Sequence, residues 1–267
     1  MRTRHILGIS GGKDSSALAI FMRDKVPEME YVFCDTGSEL TETYEYIKKL
    51  EAYLNKKVTR VPQELQPREG DKKRYSPYYG FDKALELYGG YLPSPQSRWC
   101  TKDLKLKPFE AFIGDDDVIN YVGIRYDENR KGYITSKENV KTVFPFHEHK
   151  IDIKGVTQIL ERSGIGIPDY YEWRTRSGCY FCFYQSKKEW LGLKREHPDL
   201  FEKAKLYEKD GFTWREDGSL TDLEKNAQNI ENSVSNRKAY KSNKLIHTLD
   251  DEIDEENIEK PCLICHL

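Results

Sequence analysis

Ser10-Gly11-Gly12-Lys13-Asp14-Ser15-Ser16 follows directly on the apolar run His5-Ile6-Leu7-Gly8-Ile9. The run reads as a buried strand, the glycine pair as a turn, and Asp14 onward as a helix whose apolar face carries Ala17, Leu18, Ile20 and Phe21. Two adjacent glycines let the main chain approach an anion with no Cβ in the way. The unsatisfied N–H groups of the first helical turn then point at a bound phosphate. Lys13 adds a positive charge, and the hydroxyls of Ser10, Ser15 and Ser16 add donors. The stretch departs from a Walker A loop, which has four residues between its glycines and a Ser or Thr after the Lys. Here three residues separate Gly8 from Gly12, and Asp14 follows Lys13. The hydroxyl that would hold Mg²⁺ is therefore out of place, which argues against γ-phosphoryl transfer of that type.

Working outward, Tyr31-Val32-Phe33-Cys34-Asp35-Thr36-Gly37 reads as a second buried strand running into a turn. Thr41 to Leu54 carries Tyr44, Ile47, Leu50 and Leu54 at helical spacing, and Lys57 to Val61 reads as a third strand. Alternating strands and helices imply right-handed crossovers and an α/β fold with a parallel sheet covered on both faces. Ligands of such sheets bind beyond the carboxyl ends of the strands. The loop at 10–16 and Asp35-Thr36-Gly37 thus belong to one rim. Asp35 there suits a ribose hydroxyl or an adenine amine, or serves its own turn.

The 267 residues suffice for one α/β core with an appended region. The expected division is a nucleotide-binding domain over residues 1–210 and a polar extension over 211–267 that ends in a C-x-x-C. Residues of about 63–97, rich in Pro and Gly, read as an irregular insertion with a short helix over Phe81 to Tyr88. Such an insertion is expected to be a lid or an acceptor-binding segment. Beyond Gly211 the chain is expected to be extended or weakly ordered until its last cysteines.

Charged residues make up 33% of the chain, mean hydropathy is −0.79, and no apolar run approaches membrane-spanning length. With a strand beginning almost at once there is no room for a signal peptide, so the expected location is cytoplasmic. A net charge of −2 argues against nonspecific coating of nucleic acid. Basic clusters at Arg68, Lys72, Lys73, Arg74 and at Arg98, Lys102, Lys105, Lys107 read as solvated faces unless they border the rim.

Six cysteines without a secretory signal favour metal or redox chemistry over a disulfide scaffold. Cys34, inside a strand, reads as a buried apolar residue. Cys179-Tyr180-Phe181-Cys182 and Cys262-Leu263-Ile264-Cys265 are two C-x-x-C elements, and Cys100 stands in Arg98-Trp99-Cys100-Thr101. Soft thiolates at such spacing suit Zn²⁺ or an iron–sulfur cluster. On the zinc reading the two C-x-x-C elements form a structural clip and Cys100 is free. His197 and His266 read as a helix-start residue and a tail residue, and Trp173, Trp190 and Trp214 as packing.

The stretch Ser10–Ser16 resembles the PP-loop of the ATP pyrophosphatases. Together with Asp35-Thr36-Gly37, Arg98-Trp99-Cys100-Thr101, Gly123-Ile124-Arg125-Tyr126-Asp127-Glu128 and Ser177-Gly178-Cys179-Tyr180-Phe181-Cys182, it resembles the phosphoadenosine phosphosulfate reductase-like superfamily over roughly residues 5 to 210. The resemblance implies an adenine nucleotide alpha hydrolase-like (PP-loop) fold with a cysteine-bearing C-terminal extension. It implies that ATP is held with Mg²⁺, that the loop grips the β,γ-pyrophosphate, and that AMP passes to an acceptor oxygen on a nucleic acid or small molecule before sulfur displaces it. Lys13, Gly11 and Gly12 would stabilise the leaving pyrophosphate, Asp14 and Asp35 would hold Mg²⁺ or the nucleoside, and Arg125 would be a phosphate ligand. Cys100, Cys179 and Cys182, completed by Cys265 or Cys262, match the family's positions for a [4Fe–4S] cluster, with Zn²⁺ the alternative. Sulfur would come from a donor such as a cysteine desulfurase, with partner subunits and no membrane.

The intact loop favours ATP chemistry of the kind found in the ATP pyrophosphatases of DNA phosphorothioate modification. The sulfonucleotide reductases of the superfamily usually carry a degenerate loop and a Glu-Cys-Gly-Leu-His tail, which Pro261-Cys262-Leu263-Ile264-Cys265-His266 echoes without matching. A reductase using Cys265 or Cys262 is the alternative activity. A non-catalytic nucleotide-binding subunit is the alternative of another class.

Overall fold

The computed structural model describes residues 3–61, 80–129 and 137–227. Five parallel strands form one sheet in the order β3-β2-β1-β4-β5, where β1 is Arg4–Gly8, β2 Glu30–Cys34, β3 Val58–Val61, β4 Val118–Tyr121 and β5 Val140–Val143. Ile6 lies opposite Glu30 on one side and Asn120 on the other. Side chains alternate across a strand, and the sequence uses this to build two separate faces. Leu7, Tyr31, Phe33, Val58 and Tyr121 join one buried cluster, with Ala17, Leu18, Ile47 and Leu50 from the helices α1 (Lys13–Met22) and α2 (Thr41–Leu54). Ile6, Val32, Cys34, Val61, Val118 and Val140 join the other, with Phe109 and Ile113. Cys34 is buried there, and burial pushes its thiol up to about 12, as an apolar strand residue should be.

The order of the strands decides where a ligand goes. The chain leaves β1 for β2 on one side, then crosses from the β3 edge to β4 on the other. The exit loops of β1 and β4 therefore face one crevice, the switch point at which doubly wound sheets bind ligands. Residues 10–12 and 122–125 are those loops. The crossover runs through α3 (Phe81–Leu87), then α4 (Trp99–Thr101), which continues through a wider π turn at Lys102–Leu106 into α5 (Lys107–Ile113). After β5 come α6 (Pro145–Glu148) and α7 (Ile153–Ser163), which packs on α1.

A third apolar cluster lies beyond the sheet. It holds Phe81, Leu92, Trp99, Tyr170, Trp173, Phe181, Trp190, Phe201, Trp214, Leu220 and Leu223. It is built on α8 (Lys187–Glu196), α9 (Pro198–Leu206) and α10 (Leu220–Lys225). Two expectations change here. The described half of the insertion, from Gly80 to Ser97, is anchored to the third cluster, because Phe81 packs among Trp99, Phe181 and Trp214 while Leu87, Tyr88 and Tyr91 stay exposed. Residues 62–79, which include the basic cluster Arg68 to Arg74, lie outside the described residues. The chain beyond Gly211 is likewise neither extended nor loose up to residue 227. Its few apolar residues all point one way: Trp214 donates its indole N–H to Ala204 at 2.9 Å, and Leu220 and Leu223 sit three apart on a helix started by the Ser219/Asp222 capping box. Trp173, Trp190 and Trp214 pack as expected. No helix among the described residues is long and apolar enough to cross a membrane.

Candidate functional site

The loop after β1 is folded by its own hydroxyls. Gly12 N–H donates to Ser10 Oγ at 3.3 Å, Ser10 N–H donates to Ser15 Oγ at 3.2 Å, and Ser15 Oγ donates to the Gly12 carbonyl at 3.3 Å. Helix α1 then begins at Lys13, one residue earlier than its pattern suggested. Gly11 has φ +72°, the left-handed region in which glycine is at ease. A Cβ there would stand 2.5 Å from Thr43 Cγ2, and one on Gly12 would stand 2.7 Å from Ser177 Oγ. Gly11→Ala is accordingly expected to cost about 1–3 kcal/mol of stability from strain and crowding. Thermal unfolding of the variant checks this, and an unchanged midpoint would show that the loop yields easily.

Asp14 and Arg125 meet across the crevice. Arg125 Nη1 lies 3.0 Å from Asp14 Oδ1 and 3.0 Å from Glu128 Oε1, and Nε lies 3.1 Å from Asp127 Oδ1. Burial works against the guanidinium charge, but Asp14, Glu128 and Asp127 outweigh it and hold Arg125 above its ordinary value. These contacts are made by Nη1 and Nε, and none of them uses Nη2. Gly123 lets the two loops close: a Cβ there would stand 3.1 Å from the Asp14 carbonyl oxygen. Lys13 Nζ lies 3.6 Å from Asp14 Oδ2 and 4.6 Å from the ring centroid of Tyr171.

The second half of the rim follows β2. Asp35 Oδ1 accepts from Gly37 N–H at 2.9 Å and from the Tyr44 hydroxyl at 2.8 Å, so it closes its own turn while facing the rim. Thr36 Oγ1 donates to Glu39 Oε1 at 2.7 Å and lies 3.2 Å from Cys179 Sγ. Burial raises the Glu39 carboxyl above its ordinary range, against the pull of Lys105 and the hydrogen bond from Thr36. Glu39 pairs with Cys179 in an isolated antiparallel bridge, which ties residues 177–180 to the rim.

The metal expectation fares differently. Cys179 and Cys182 share one turn, with Cys182 N–H donating to the Cys179 carbonyl at 3.1 Å. Cys100 and Cys179 both pack against the third cluster. Yet among the described residues no three Cys, His, Asp or Glu side chains converge on a point that could hold a metal ion. The Cys179 thiol faces Thr36 and Glu39, and burial followed by the Glu39 charge pushes it up. Cys262 and Cys265, the remaining thiols of either metal reading, lie outside the described residues, as does His266. The described donor set therefore does not by itself fit a [4Fe–4S] cluster or a Cys₄ zinc.

Several residues of the site carry no sequence signal. Tyr170 and Tyr171 follow α7 in a short 3₁₀ turn, Asp169–Glu172. Their rings stack at 5.0 Å, and Tyr171 Oη accepts from Lys13 N–H at 3.3 Å. Glu39 and Tyr44 precede and open a helix and look like ordinary helix-start residues in the sequence. Ser177 stands inside a quoted motif, but its contact with Ser10 at 3.1 Å spans 167 residues and no spacing rule reveals it.

Residues 4–152 match the phosphoadenosine phosphosulfate reductase domain. An uncharacterized protein of Methanocaldococcus jannaschii is 28% identical over 212 residues, which cover 74% of this chain and 40% of the relative. A second protein of that archaeon is 26% identical over 73% of this chain and 45% of its own length. The chain thus spans less than half the length of these curated relatives. Among solved structures, phosphoadenylyl-sulfate reductase from Candida auris superposes with a TM-score of 0.48 at 12% identity, over 67% of this chain and 82% of that one.

Proposed function

The chain belongs to the phosphoadenosine phosphosulfate reductase domain family, and from that membership we propose that it is a PP-loop ATP pyrophosphatase. In this reading ATP is split to AMP and pyrophosphate, and AMP is passed to an acceptor oxygen that sulfur later replaces. The observation that carries the reading is the complete loop Ser10–Ser16 at the β1/β4 switch point, with Lys13 and Asp14 both in place and Arg125 against them.

Each residue has a task in this proposal. The Lys13 ammonium and the remaining N–H groups of the loop and first helical turn meet charge that grows on the departing pyrophosphate, since Gly12 N–H is donated to Ser10 Oγ and Lys13 N–H to Tyr171 Oη. Arg125, with its Nη1 and Nε committed to carboxylates, offers Nη2 to a phosphate oxygen and fixes Asp14 at the same time. Mg²⁺ is commonly carried by substrate phosphates and one or two carboxylates. Asp14 is the carboxylate at this loop, and the ion when bound would neutralise phosphate charge. Asp35, Thr36 and Gly37 would flank the nucleoside. The acceptor is proposed to be a nucleic acid or small molecule and the donor a cysteine desulfurase or similar protein, with no step assigned to a cluster.

The test is product analysis. Purified protein with ATP, Mg²⁺ and candidate acceptors is expected to release pyrophosphate and form AMP or an adenylated acceptor. Steady production of ADP, or no binding of ATP or pyrophosphate at all, would refute the reading. For the reductase alternative, the proposed nucleophile Cys262 or Cys265 lies outside the described residues.

A further inference from the structure

The Gly11–Gly12 peptide is held at its carbonyl by a side chain from the far side of the chain and at its N–H by Ser10, which is itself bonded to the distant Ser177. Its carbonyl, on Gly11, accepts from the Tyr170 hydroxyl at 2.7 Å. Its N–H, on Gly12, donates to Ser10 Oγ, and Ser10 Oγ also receives the Ser177 hydroxyl at 3.1 Å. The direction of the hydroxyl chain follows from one proton per hydroxyl. Ser15 donates to the Gly12 carbonyl, so Ser10 must donate to Ser15 across their 3.1 Å contact, and Ser177 must donate to Ser10. The Gly12 carbonyl also accepts the Ser16 N–H at 3.2 Å, in the first turn of the helix. Both glycine carbonyls are thereby engaged by donors of the protein.

A peptide between two glycines is the easiest in a chain to rotate, because neither flanking Cα carries a Cβ to resist it. Rotation of this peptide would break the Tyr170 bond to the Gly11 carbonyl and the Gly12 N–H bond to Ser10 Oγ, and would free that carbonyl to turn toward the crevice. An oxygen acceptor would then stand where an anion should meet donors, which converts attraction to repulsion. Tyr170 is 1% exposed and Ser177 6%, and each spends its hydroxyl proton inside the protein, on the Gly11 carbonyl and on Ser10 Oγ.

We propose that Tyr170 and Ser177 are positioning residues that lock the Gly11–Gly12 peptide with its carbonyl turned inward, and so set the affinity of the loop for pyrophosphate. This rests on the reading that the loop binds the phosphates of a nucleotide. Tyr171 completes the lock at the next peptide, where it accepts the Lys13 N–H.

Titration calorimetry on the full chain tests it with three probes: inorganic pyrophosphate, ATP, and adenosine, which has no phosphate. Tyr170→Phe and Ser177→Ala are each expected to weaken pyrophosphate and ATP about tenfold, the loss of one well-placed hydrogen bond, while adenosine changes less than about twofold. Circular dichroism at the titration temperature confirms that the variants are folded. Ser177→Ala, the smaller change, stands as the test if Tyr170→Phe does not fold. Unchanged pyrophosphate affinity in the folded variants overturns the lock, and so does an equal loss for adenosine, which marks a general collapse of the crevice. Failure of the unaltered protein to bind pyrophosphate or ATP refutes the proposed function itself, whereas binding by the unaltered protein that the variants match refutes only the lock.

Discussion

Lys13→Ala is expected to lower the rate of pyrophosphate release from ATP by roughly 30- to 1000-fold, a loss of about 2–4 kcal/mol of transition-state stabilisation. The size follows from the surroundings of the ammonium. Its side chain is only 17% exposed, set between the Asp14 carboxylate at 3.6 Å and the face of the Tyr171 ring at 4.6 Å. A charge so enclosed is screened little by water, and it is held ready before the phosphate arrives. Lys13→Met, which keeps most of the stem and loses the charge, separates packing from electrostatics and should fall as far as Lys13→Ala. The check is a steady-state pyrophosphate assay at saturating ATP. A rate within twofold of the unaltered protein would remove Lys13 from the reaction.

The largest effect on stability is expected at Glu189. Its carboxylate accepts from Thr175 N–H at 2.6 Å, from Thr175 Oγ1 at 2.8 Å and from Ser186 N–H at 2.8 Å, closing the capping box of α8. Arg174, 2% exposed, shares its electrostatic environment and donates to the carbonyls of Gly178 and Cys179 at 3.4 and 3.3 Å. Glu189→Ala would leave the N–H groups of Ser186 and Thr175 and the Thr175 hydroxyl without their acceptor, and would remove a negative charge that Arg174 feels. The expected cost is about 2–4 kcal/mol, read from urea or thermal unfolding. Burial pushes the Glu189 carboxyl up, but the hydrogen bonds from Ser186 and Thr175 and the charge of Arg174 outweigh it, and the net shift is downward. A lowered folded value gives stability that is complete above the ordinary carboxylate range and is lost as pH falls through the folded value. The gap between the unaltered protein and Glu189→Ala should therefore narrow on acidification, and a gap that widened would contradict the assignment.

How much of this was readable in advance depends on the range of each contact. Strands β1, β2 and β3 and helix α2 are legible because apolar spacing is local, and α2 runs from Thr41 to Leu54 as its pattern says. β4 and β5, four residues each like β3, lie beyond the irregular crossover and lack the strand–helix alternation that framed β3. The phosphate loop is legible because glycine, lysine and serine are adjacent in sequence. Its supports are not, since Tyr170 reaches Gly11 across 159 residues and a tyrosine after a helix has many ordinary explanations. Glu39 is the instructive case. An acid just before a helix suggests solvent and the helix dipole, yet it is 8% exposed and bound to Thr36 and Tyr44. The cysteine pattern was legible as a pattern, but ligation depends on convergence, and convergence is a tertiary fact.

The chain has four tryptophans, Trp99, Trp173, Trp190 and Trp214, and all four belong to the apolar cluster beyond the sheet, with none on either sheet face. Intrinsic indole fluorescence is thus a one-sided witness. It follows the loss of packing around α8, α9 and α10, while far-ultraviolet dichroism reports the helices of both halves, α1, α2 and α7 beside the sheet among them. If the two halves melt as one body, the two signals trace a single curve; if they part company, fluorescence will shift at a denaturant concentration of its own. The same placement makes the molecule a ready sensor of the ground from which the phosphate loop is braced, since Tyr170 and Trp173 share that cluster and the braces at 170 and 177 emerge beside it.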